Sequence, residues 1–475
     1  VCLWLVGGAV RDLLLGRPVH DWDFAVDRDA MTLAKAVGDV LDGFYFPLDE
    51  ERGTARVLLE KDRNERTELD FALLRGHSLK ADLSARDFTI NAMAVDDTRE
   101  LFDPLGGQAD LRGSLIRATQ PHAFTDDPVR LVRAPRLEAE LGFEIETHTE
   151  AWIRQAASLV VHPAMERLRD EFVRGLAISR TSRFVSRLDD LRLLVHIVPE
   201  VEELKAVSQS HPHRFDVWQH TLRVLETVGH VVATVTERTE WADAGAPTAV
   251  PSAAWGELER RIGQFGGPIA SRLAARVCDH RDRLLMLKLG ALLHDIGKPQ
   301  TRSSDSEDRI HFYGHESVGA AKAGSRMRAL RFSRDEVSRV RTLVEAHLRP
   351  AHLARGERVT RRAMYRYFRA TDDVGVETVL LSLADHLATW GPSLREERWA
   401  RRLNVAELLL YHYFEEPEQL VNPELPVDGH DLMRVLELEP GPEIGRLLDL
   451  LREAVAAGEV STQQEALDLA RRCAR

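Results

Sequence analysis

The chain has 475 residues, 44% of them hydrophobic, and a formal net charge of −12. At roughly 100–200 residues per domain, this length favours three or four domains. No uninterrupted apolar run reaches the roughly 18 residues of a membrane span. The opening run VCLWLV lacks the basic region and cleavage site of a signal peptide. The acidic balance argues against indiscriminate nucleic-acid binding, but it leaves room for a local basic surface.

The three cysteines of the chain indicate its redox environment. Cys2, Cys278 and Cys473 are far apart and form no CxxC pair. This spacing disfavours a disulfide framework and a thiolate zinc site, and it predicts a cytoplasmic protein.

Hydrophobic patterning divides the chain into a mixed front part and a helical back part. Strand-like runs occur at Leu3–Val6, Trp22–Val26, Ala55–Leu59 and Thr67–Leu74, the last two favouring a hairpin. From about residue 139 the pattern turns helical. Residues 241–256 are small and proline-rich, which predicts a surface loop or linker. The fold class predicted is α+β, with a mixed sheet and helices in front and all-α structure behind.

The first motif is a glycine turn in LVGGAVRDLLLG. A strand ends at Val6, and Gly7 and Gly8 form a turn without side chains before a helix. This arrangement presents backbone N–H groups to a phosphate at the helix N-terminus. Arg11 lies in the first turn and would add a charged contact to the same triphosphate.

Three carboxylates follow the glycine turn. Asp21 and Asp23 are two residues apart in a predicted strand, so both face the same way. Adjacent carboxylates repel unless a cation neutralises them, and oxygen ligands favour Mg²⁺. Asp70, in another predicted strand, would complete a two-Mg²⁺ site for phosphoryl transfer. A glycine turn or a DxD pair alone is common, whereas both together are far more specific.

With these motifs, the chain resembles the class II tRNA nucleotidyltransferases and bacterial poly(A) polymerases of the polymerase-β-like superfamily. The likeness is strongest over residues 3–145, where LDFALLR (69–75) matches the segment that bears the third carboxylate. The resemblance implies a polymerase-β-like nucleotidyltransferase head at 1–138, a helical neck for nucleotide selection at 139–205, an HD metal-binding domain at 206–392 and a tRNA-binding tail at 393–475.

A second segment of the head carries the resemblance further. ARDFTINAMA (85–94) resembles the family motif RRDFTINAMA, with Ala85 in place of the first arginine. The match implies ribose and triphosphate contacts for Arg86, Asp87 and Asn91.

A predicted helix then resembles the nucleotide-selecting segment of the family. DDPVRLVRAPR (126–136) matches it, with aspartate in place of its first glutamate. The match implies that Asp127 and Arg130 bind the edge of the incoming base, while Arg133 and Arg136 follow on the same helix face. An aspartate accepts from an exocyclic amino group and an arginine donates to ring acceptors, so the pair can recognise C or A without a template. The alternative is an exposed arginine face.

The length of one link bears on which nucleotide is added. Ten residues separate Arg75 from Arg86, where full CCA-adding members carry a longer flexible loop. The chain therefore resembles the CC-adding subgroup, whose pocket stays on CTP. The alternatives are a full CCA-adding enzyme that uses CTP and ATP, or a poly(A) polymerase.

The back half carries a second motif set. The order H…HD…D resembles the HD metal-dependent phosphohydrolases, and the match implies His220, His294, Asp295 and Asp385 as core ligands. His315 and His347 would hold a second metal. Neutral imidazoles and carboxylates suit a divalent transition metal. A lone histidine on an apolar face is more often a satisfied core residue, and a metal-free structural domain remains the alternative.

Arginine-rich helices are the candidate RNA contacts. They comprise Arg167, Arg169, Arg174, Arg180, Arg183 and Arg187, and the segment 358–369 with Tyr365, Tyr367 and Phe368. Aromatic rings between arginines can stack on bases, whereas the alternative is arginines lying along helix surfaces. In the tail, residues 439–451 resemble a helix-hairpin-helix turn, with Gly441 and Gly445 allowing close approach to a phosphate backbone.

Together these features predict template-independent transfer of CMP from CTP to the 3′ end of tRNA, with no membrane partner. Two functions of other classes compete with it: an HD phosphohydrolase with an inert head, and an RNA-binding module without catalysis. The intact acidic triad argues against both.

Overall fold

The computed structural model describes residues 1–19, 21–62, 65–76, 78–242, 250–356 and 358–474. The chain packs as two units, Val1–Phe172 with Arg187–Ile197, and Val173–Ser186 with Val198–Arg475. The four predicted domain boundaries therefore stay a prediction. Among the helices of the described ranges, none combines the length and apolarity needed to cross a bilayer.

The first unit is built on a mixed sheet. Its strands are β1 (Leu3–Val6), β2 (Asp21–Val26), β3 (Phe44–Asp49), β4 (Thr54–Asp62), β5 (Glu65–Leu73), β6 (Ala94–Val95) and β7 (Leu101–Phe102). The spatial order is β3-β4-β5-β2-β1-β6-β7, and only β2 and β5 pair in parallel. The mixed sheet and the β4–β5 hairpin were predicted; β3, β6 and β7 were not. A small parallel pair, β8 (Leu115–Ile116) and β9 (Glu144–Ile145), lies apart from this sheet.

Ten helices of the described chain begin in the first unit or cross its boundary. They are α1 (Gly8–Leu14), α2 (Ala30–Leu41), α3 (Leu79–Ser84), α4 (Gly107–Arg112), α5 (Ala123–Asp126), α6 (Arg130–Leu141), α7 (Thr147–Ala156), α8 (Met165–Ala177), α9 (Thr181–Asp190) and α10 (Leu194–Ile197). A single turn of 3₁₀ helix covers Thr89–Asn91.

The alternation of β2 and β5 decides which side chains meet. Phe24 and Phe71 stack with ring centroids 5.1 Å apart, and they pack with Val26 against α2. Because successive side chains of a strand point to opposite faces, the neighbours of Phe24 and Phe71 point away from α2. Ala25 accordingly packs in a separate apolar cluster with Val6.

The second unit is mostly helical. Its helices are α11 (Val217–Thr236), α12 (Ser252–Ile262), α13 (Gly266–Leu273), α14 (Arg283–Leu293), α15 (Lys298–Thr301), α16 (His315–Ala329), α17 (Arg334–Ala346), α18 (Arg349–Leu353), α19 (Arg361–Thr371), α20 (Gly375–Trp390), α21 (Glu396–Phe414), α22 (Pro417–Leu420), α23 (Gly429–Leu436), α24 (Pro442–Ala457) and α25 (Gln463–Cys473).

Two details correct the sequence analysis of this unit. The predicted α+β class is confirmed, but the part behind the head is mostly helical and not all-α, because β10 (Arg276–Cys278) pairs with β11 (Arg281–Asp282) and β12 (Arg302–Ser304) with β13 (Ile310–Phe312). The loop predicted at 241–256 ends early, since α12 begins at Ser252. Residues 243–249 of that loop lie outside the described residues.

The arginine-rich segment 358–369 forms α19, and the structure contradicts its predicted stacking on RNA. Tyr365, Tyr367 and Phe368 are all buried. The Tyr367 hydroxyl donates to the carbonyl of Gly375 at 2.6 Å. Arg366 pairs with Glu453 and Arg369 with Asp449, both on α24. An aromatic stripe at helical spacing therefore forms core here, and these arginines dock a neighbouring helix.

Among the other predicted RNA contacts, Arg169 pairs with its neighbour Asp170, and two further arginines form ion pairs within the first unit. Arg167 pairs with Asp127, and Arg187 contacts both Glu138 and Glu150. In the tail, α23 and α24 form the predicted helical hairpin, with Gly441 and Gly445 exposed. Contact of these segments with RNA stays a prediction.

Candidate active site and metal cluster

The three predicted carboxylates lie together on one face of the sheet. In the parallel pair of β2 and β5, Asp23 is the register partner of Asp70, and Asp21 lies two residues before Asp23 on the same face. Phe24 follows Asp23 and Phe71 follows Asp70, and both aromatic rings pack towards α2. Asp21, Asp23 and Asp70 therefore share the face away from α2. Their catalytic role stays a prediction.

The charges at this face fit a cation. Burial raises the pKa of Asp23 from 3.8 to about 6; the carboxylates of Asp70 and Asp21 add to the rise, and the Arg86 guanidinium opposes it. Clustered carboxylates ionise together only when positive charge neutralises them. An all-oxygen donor set of this kind suits Mg²⁺.

Arg56 is a member of this site that the sequence analysis missed. Its Nε donates to Oδ1 of Asp70 at 2.7 Å, and its Nη2 donates to Oδ2 at 2.8 Å. It also forms an ion pair with Glu68. Arg56 is the register partner of Asp70 across β4 and β5. The predicted hairpin would have revealed this pair only if its register had been assigned.

The glycine turn packs directly against the carboxylates. Gly7 has a φ of +75°, a left-handed conformation that favours glycine. A Cβ at this position would lie 3.0 Å from Oδ2 of Asp23 and 3.1 Å from Nη1 of Arg86. Helix α1 begins at the next residue, Gly8. The turn therefore keeps backbone N–H groups beside the acidic face without side-chain obstruction.

A chain of hydrogen bonds joins α1 to α6. Nη1 of Arg11 donates to Oδ1 of Asn91 at 2.8 Å, and the Asn91 amide donates to Oδ1 of Asp87 at 3.0 Å. Arg133 donates from Nη1 to the other oxygen of Asp87 at 2.8 Å. Although burial opposes ionisation, the charge and hydrogen bond of Arg133 lower the pKa of Asp87 to about 2. These residues form a connected support; their predicted contacts with ribose and triphosphate stay a prediction.

The predicted pair for the base edge lies at the start of α6. Arg130 is buried, and it donates to the carbonyls of Ala85 at 2.9 Å and Ala123 at 3.2 Å. Asp127 accepts from Arg167 at 2.9 Å through Oδ2, while its buried Oδ1 has no hydrogen-bond partner among the described residues. The guanidinium of Arg130 therefore bonds to two backbone carbonyls. Oδ1 of Asp127 remains an acceptor without a donor among the described residues.

The remaining two arginines of this helix do not form an exposed face. Arg133 and Arg136 both form ion pairs with Glu171, which is buried. Arg136 also pairs with Glu140. They therefore connect α6 to α8, and direct contact of their guanidinium groups with a nucleotide stays a prediction.

In the second unit, the six predicted HD residues lie in two groups. His220, His294 and Asp385 form one, and Asp295, His315 and His347 form the other, with the ligand atoms of each group within 4.8 Å of one another. The groups adjoin. Between the groups, Nε2 of His294 lies 3.1 Å from Oδ2 of Asp295. Within the first group, Nε2 of His220 lies 3.0 Å from Oδ1 of Asp385.

The backbone orients three of these imidazoles. Nδ1 of His294, His315 and His347 lies 2.7–2.8 Å from the carbonyl oxygens of Ala291, Phe312 and Val344, respectively. A carbonyl only accepts, so each Nδ1 carries a proton, and the neutral form of each ring would present its lone pair at Nε2. Nε2 of His315 and Nε2 of His347 lie 3.4 Å apart. Burial, with the neighbouring imidazoles of His294 and His315, lowers the pKa of His347 to about 3. Two Nε2 atoms that face each other at this distance fit a cation bound between them.

Four of the six residues, Asp295, His315, His347 and Asp385, line a cavity of about 980 Å³. Among the lining residues that sequence reasoning missed are His213, Lys298 and Arg402. Lys298 stands four residues after His294 in HDIGK, and its Nζ donates to Asp295 and to Gln209, both at 2.7 Å. That short spacing was a usable signal. His213 and Arg402 belong to distant segments that carry no such signal.

Family models match most of the chain. A Poly A polymerase head domain matches residues 3–117, and a probable RNA and SrmB-binding site of polymerase A matches 142–205. An HD domain matches 263–390, and a putative tRNA nucleotidyltransferase domain 2 matches 398–470. The HD match begins after His220.

Relatives and solved structures agree with these matches. The A-adding tRNA nucleotidyltransferase of Deinococcus radiodurans is 34% identical over 97% of this chain and 93% of its own length. The CC-adding enzyme of Thermus thermophilus is 34% identical over 97% and 91%, respectively. A CCA-adding enzyme solved with ATP shares the fold, with a TM-score of 0.62, 22% identity, and coverage of 100% of this chain and 92% of that one. The chain therefore belongs to the tRNA nucleotidyltransferase family, and it is an enzyme of that family.

Proposed function

We propose that this enzyme transfers CMP from CTP to the 3′ end of tRNA in two successive additions. The observation that carries the proposal is the acidic face on which Asp21, Asp23 and Asp70 lie together. Two Mg²⁺ ions bound there would lower the pKa of the RNA 3′ hydroxyl and neutralise the triphosphate and the leaving pyrophosphate. The attacking hydroxyl oxygen forms the new bond to the α-phosphorus, and pyrophosphate leaves.

The chain's own residues provide position and charge. The turn at Gly7 offers N–H groups to the triphosphate, and Arg86 adds a guanidinium beside Asp23. The unused Oδ1 of Asp127 can accept from the exocyclic amino group of cytosine. A solved relative, the CCA-adding enzyme of Thermotoga maritima, is described in complex with tRNA. We propose tRNA as the acceptor here as well.

Restriction to CTP is supported by the short link between Arg75 and Arg86. Asp82, buried within this link on α3, accepts from the backbone N–H of Arg75 at 3.0 Å and from Nε of Arg86 at 3.1 Å. One carboxylate thus ties the two ends of the link together and leaves little freedom for a pocket that must change its shape for ATP. Relatives named for CC addition and for A addition are almost equally similar, so A addition is the leading alternative, followed by full CCA or poly(A) addition.

Mass spectrometry of the extended tRNA distinguishes these activities. The purified chain is given tRNA that lacks its last three nucleotides, or tRNA ending in CC, with CTP, ATP or both. Our proposal expects two C residues on the first tRNA and no change in the second. One A on the CC-ending tRNA alone would indicate an A-adding enzyme, and C, C, A or long A tails would also contradict the proposal. A double variant, Asp21→Asn with Asp23→Asn, is the inactive control.

We propose a second activity, metal-dependent hydrolysis of phosphoesters, for the HD cluster. The facing Nε2 atoms of His315 and His347 favour it. His220, His294, Asp295 and Asp385 would complete the ligand set for a divalent transition metal. In such hydrolysis a water oxygen bonds to phosphorus, the ester P–O bond breaks, and the alcohol leaves with a proton.

Metal content and turnover test this activity together. Elemental analysis of the purified chain should find a transition metal that His315→Ala lowers, and bis-p-nitrophenyl phosphate should be hydrolysed with Mn²⁺ or Ni²⁺. The inactive head variant, Asp21→Asn with Asp23→Asn, should hydrolyse it at the normal rate. Absence of both metal and turnover would leave a structural domain.

A further inference from the structure

An arginine that belongs to none of the predicted motifs lines the cavity of the HD cluster. Arg402 lies on α21, and the cavity that it lines also contains Asp295 and Asp385. Its side chain is half-buried, and its Nη1 is shielded from solvent without a hydrogen-bond partner among the described residues. Buried donors nearly always have partners, so this guanidinium is prepared for an acceptor that comes from outside the chain.

A second unpartnered polar atom lies on the same wall. Nε2 of His386 is buried and makes no hydrogen bond within the described part of the chain. The imidazole stacks on Trp399, with ring centroids 6.0 Å apart and an angle of 5° between the planes. Trp399 belongs to the same helix as Arg402. Packing therefore fixes the ring while its nitrogen stays available to a ligand.

The charge of the cavity favours an anion. Its lining contains six lysine or arginine residues and three acids. Arg355, which follows α18, adds a second guanidinium close enough to Arg402 to lower its pKa, together with the larger effect of burial and against the charge of Asp385. The like charges of the half-buried Arg402 and the exposed Arg355 repel each other, and an anion that binds beside both relieves this repulsion.

The size and rim of the cavity indicate a ligand larger than one phosphate. A volume of about 980 Å³ is at the upper end of ordinary ligand pockets. At the rim, Tyr313 is 77% exposed and stacks on His311, with ring centroids 5.1 Å apart. An exposed aromatic face of this kind accepts a nucleobase without sequence preference.

We propose that Arg402, assisted by Arg355, binds a second phosphate group of a nucleotide whose scissile phosphate lies at the HD cluster. Lys298 already serves the cluster through its contact with Asp295, whereas neither arginine hydrogen-bonds to a predicted metal ligand among the described residues. The ligand class is therefore a nucleoside bisphosphate. The inference rests on the proposed hydrolase activity for the scissile end, but the second phosphate site can be tested by binding alone.

Calorimetric titration of the full chain is the test. Adenosine 3′,5′-bisphosphate and adenosine 3′-monophosphate are titrated into metal-chelated protein, with CTP present to occupy the head. We expect tighter binding of the bisphosphate, and Arg402→Gln should lower that affinity roughly ten- to a hundredfold, because a hydrogen bond between charged groups in a shielded site has that strength. Affinity for the monophosphate should change less than about threefold.

Two further variants serve as a charge control and as a second test of the same site. Arg395→Gln makes the same change of charge at the start of α21 outside the cavity, and it should bind both ligands normally. Arg355→Gln is the second test if Arg402→Gln fails to fold. Arg355 is exposed and does not belong to the core, and its replacement should weaken bisphosphate binding. Equal loss for both ligands, or a wild-type chain without preference for the bisphosphate, would overturn the proposal.

The same titrations separate this inference from the hydrolase. A bisphosphate preference that depends on Arg402, in a chain that hydrolyses no ester with any metal, would support the second phosphate site and refute the hydrolase. Hydrolysis of bis-p-nitrophenyl phosphate without any effect of Arg402→Gln on nucleotide binding would refute the site and leave the hydrolase standing.

Discussion

Arg56 holds Asp70 through two hydrogen bonds, from Nε to Oδ1 at 2.7 Å and from Nη2 to Oδ2 at 2.8 Å. This pairing fixes the plane of the carboxylate and neutralises its charge. Asp23, the register partner of Asp70, accepts no paired hydrogen bonds from an arginine of the described residues, and burial raises its pKa to about 6. The acidic face therefore contains one carboxylate that is held by a guanidinium and one whose ionisation a bound cation would favour.

Arg56→Ala should lower both kcat and the Mg²⁺ concentration for half-maximal CMP incorporation. Removing the guanidinium frees charge on Asp70 for the metal, but the carboxylate loses its fixed orientation. Arg56 and Asp70 are each about one-third exposed, so their ion pair contributes at most about 1 kcal/mol. The half-maximal Mg²⁺ concentration should therefore fall by no more than roughly fivefold. Mg²⁺ titration of incorporation checks this, with Arg52→Ala, in the turn before β4, as the exposed control. A higher Mg²⁺ requirement would contradict it.

Asp23→Asn should stabilise the metal-free protein above pH 6 while abolishing incorporation. A carboxyl group whose pKa rises from 3.8 to about 6 on folding keeps its proton longer in the folded state, so stability falls as the pH rises through that interval. The full effect is at most about 3 kcal/mol. Melting temperatures in EDTA at pH 4 and pH 8 measure it. The melting temperatures of wild type and variant should differ more at pH 8 than at pH 4. Added Mg²⁺ should raise the melting temperature of the wild type more than that of the variant.

The exposed Asp39→Asn is the control for this comparison. It removes the same charge from α2 and should leave the pH dependence of melting unchanged. An equal response of both variants would show that net charge, and not the acidic face, governs the effect.

Asp127→Ala should lower kcat/KM for CTP about 10- to 100-fold and narrow the preference for CTP over UTP. The variant loses the free Oδ1 acceptor that cytosine would satisfy and uracil would not. Single-turnover incorporation of each nucleotide measures the ratio. Asp126→Ala, at the adjacent and more exposed position, is the matched control. Unchanged selectivity in Asp127→Ala would remove this residue from base recognition.

Lys288→Met should destabilise the second unit by about 2–4 kcal/mol, because it leaves buried carbonyls without donors. Lys288 is 1% exposed, and its Nζ donates to the carbonyls of Leu176 at 3.0 Å and Ile178 at 2.8 Å. A lower melting temperature in calorimetry tests this expectation. Lys205→Met, at a partly exposed ion pair with Glu202, should change stability by less than about 0.5 kcal/mol.

Patterns of short range predicted much of the head. The alternation of β2 and β5 predicted the shared face of Asp21 and Asp23 from spacing alone, and the sheet places Asp70 beside them. Short-range pattern also misled. In α19 the aromatic residues have the spacing of a stacking surface, yet they are core, because the same helical period serves either purpose and only the packing of α24 against α19 distinguishes them.

The sequence by itself determined which chemical groups exist and which face of its own strand or helix each one occupies, since backbone periodicity requires nothing from distant residues. Only the tertiary structure decided which charges neutralise one another. Arg56 reaches Asp70 through hairpin register, Arg133 reaches Asp87 through the packing of α6, and Arg402 lines the HD cavity from a later helix. Electrostatic partners depend on separations of a few ångströms, and segments distant in the chain acquire those separations only when the core is packed.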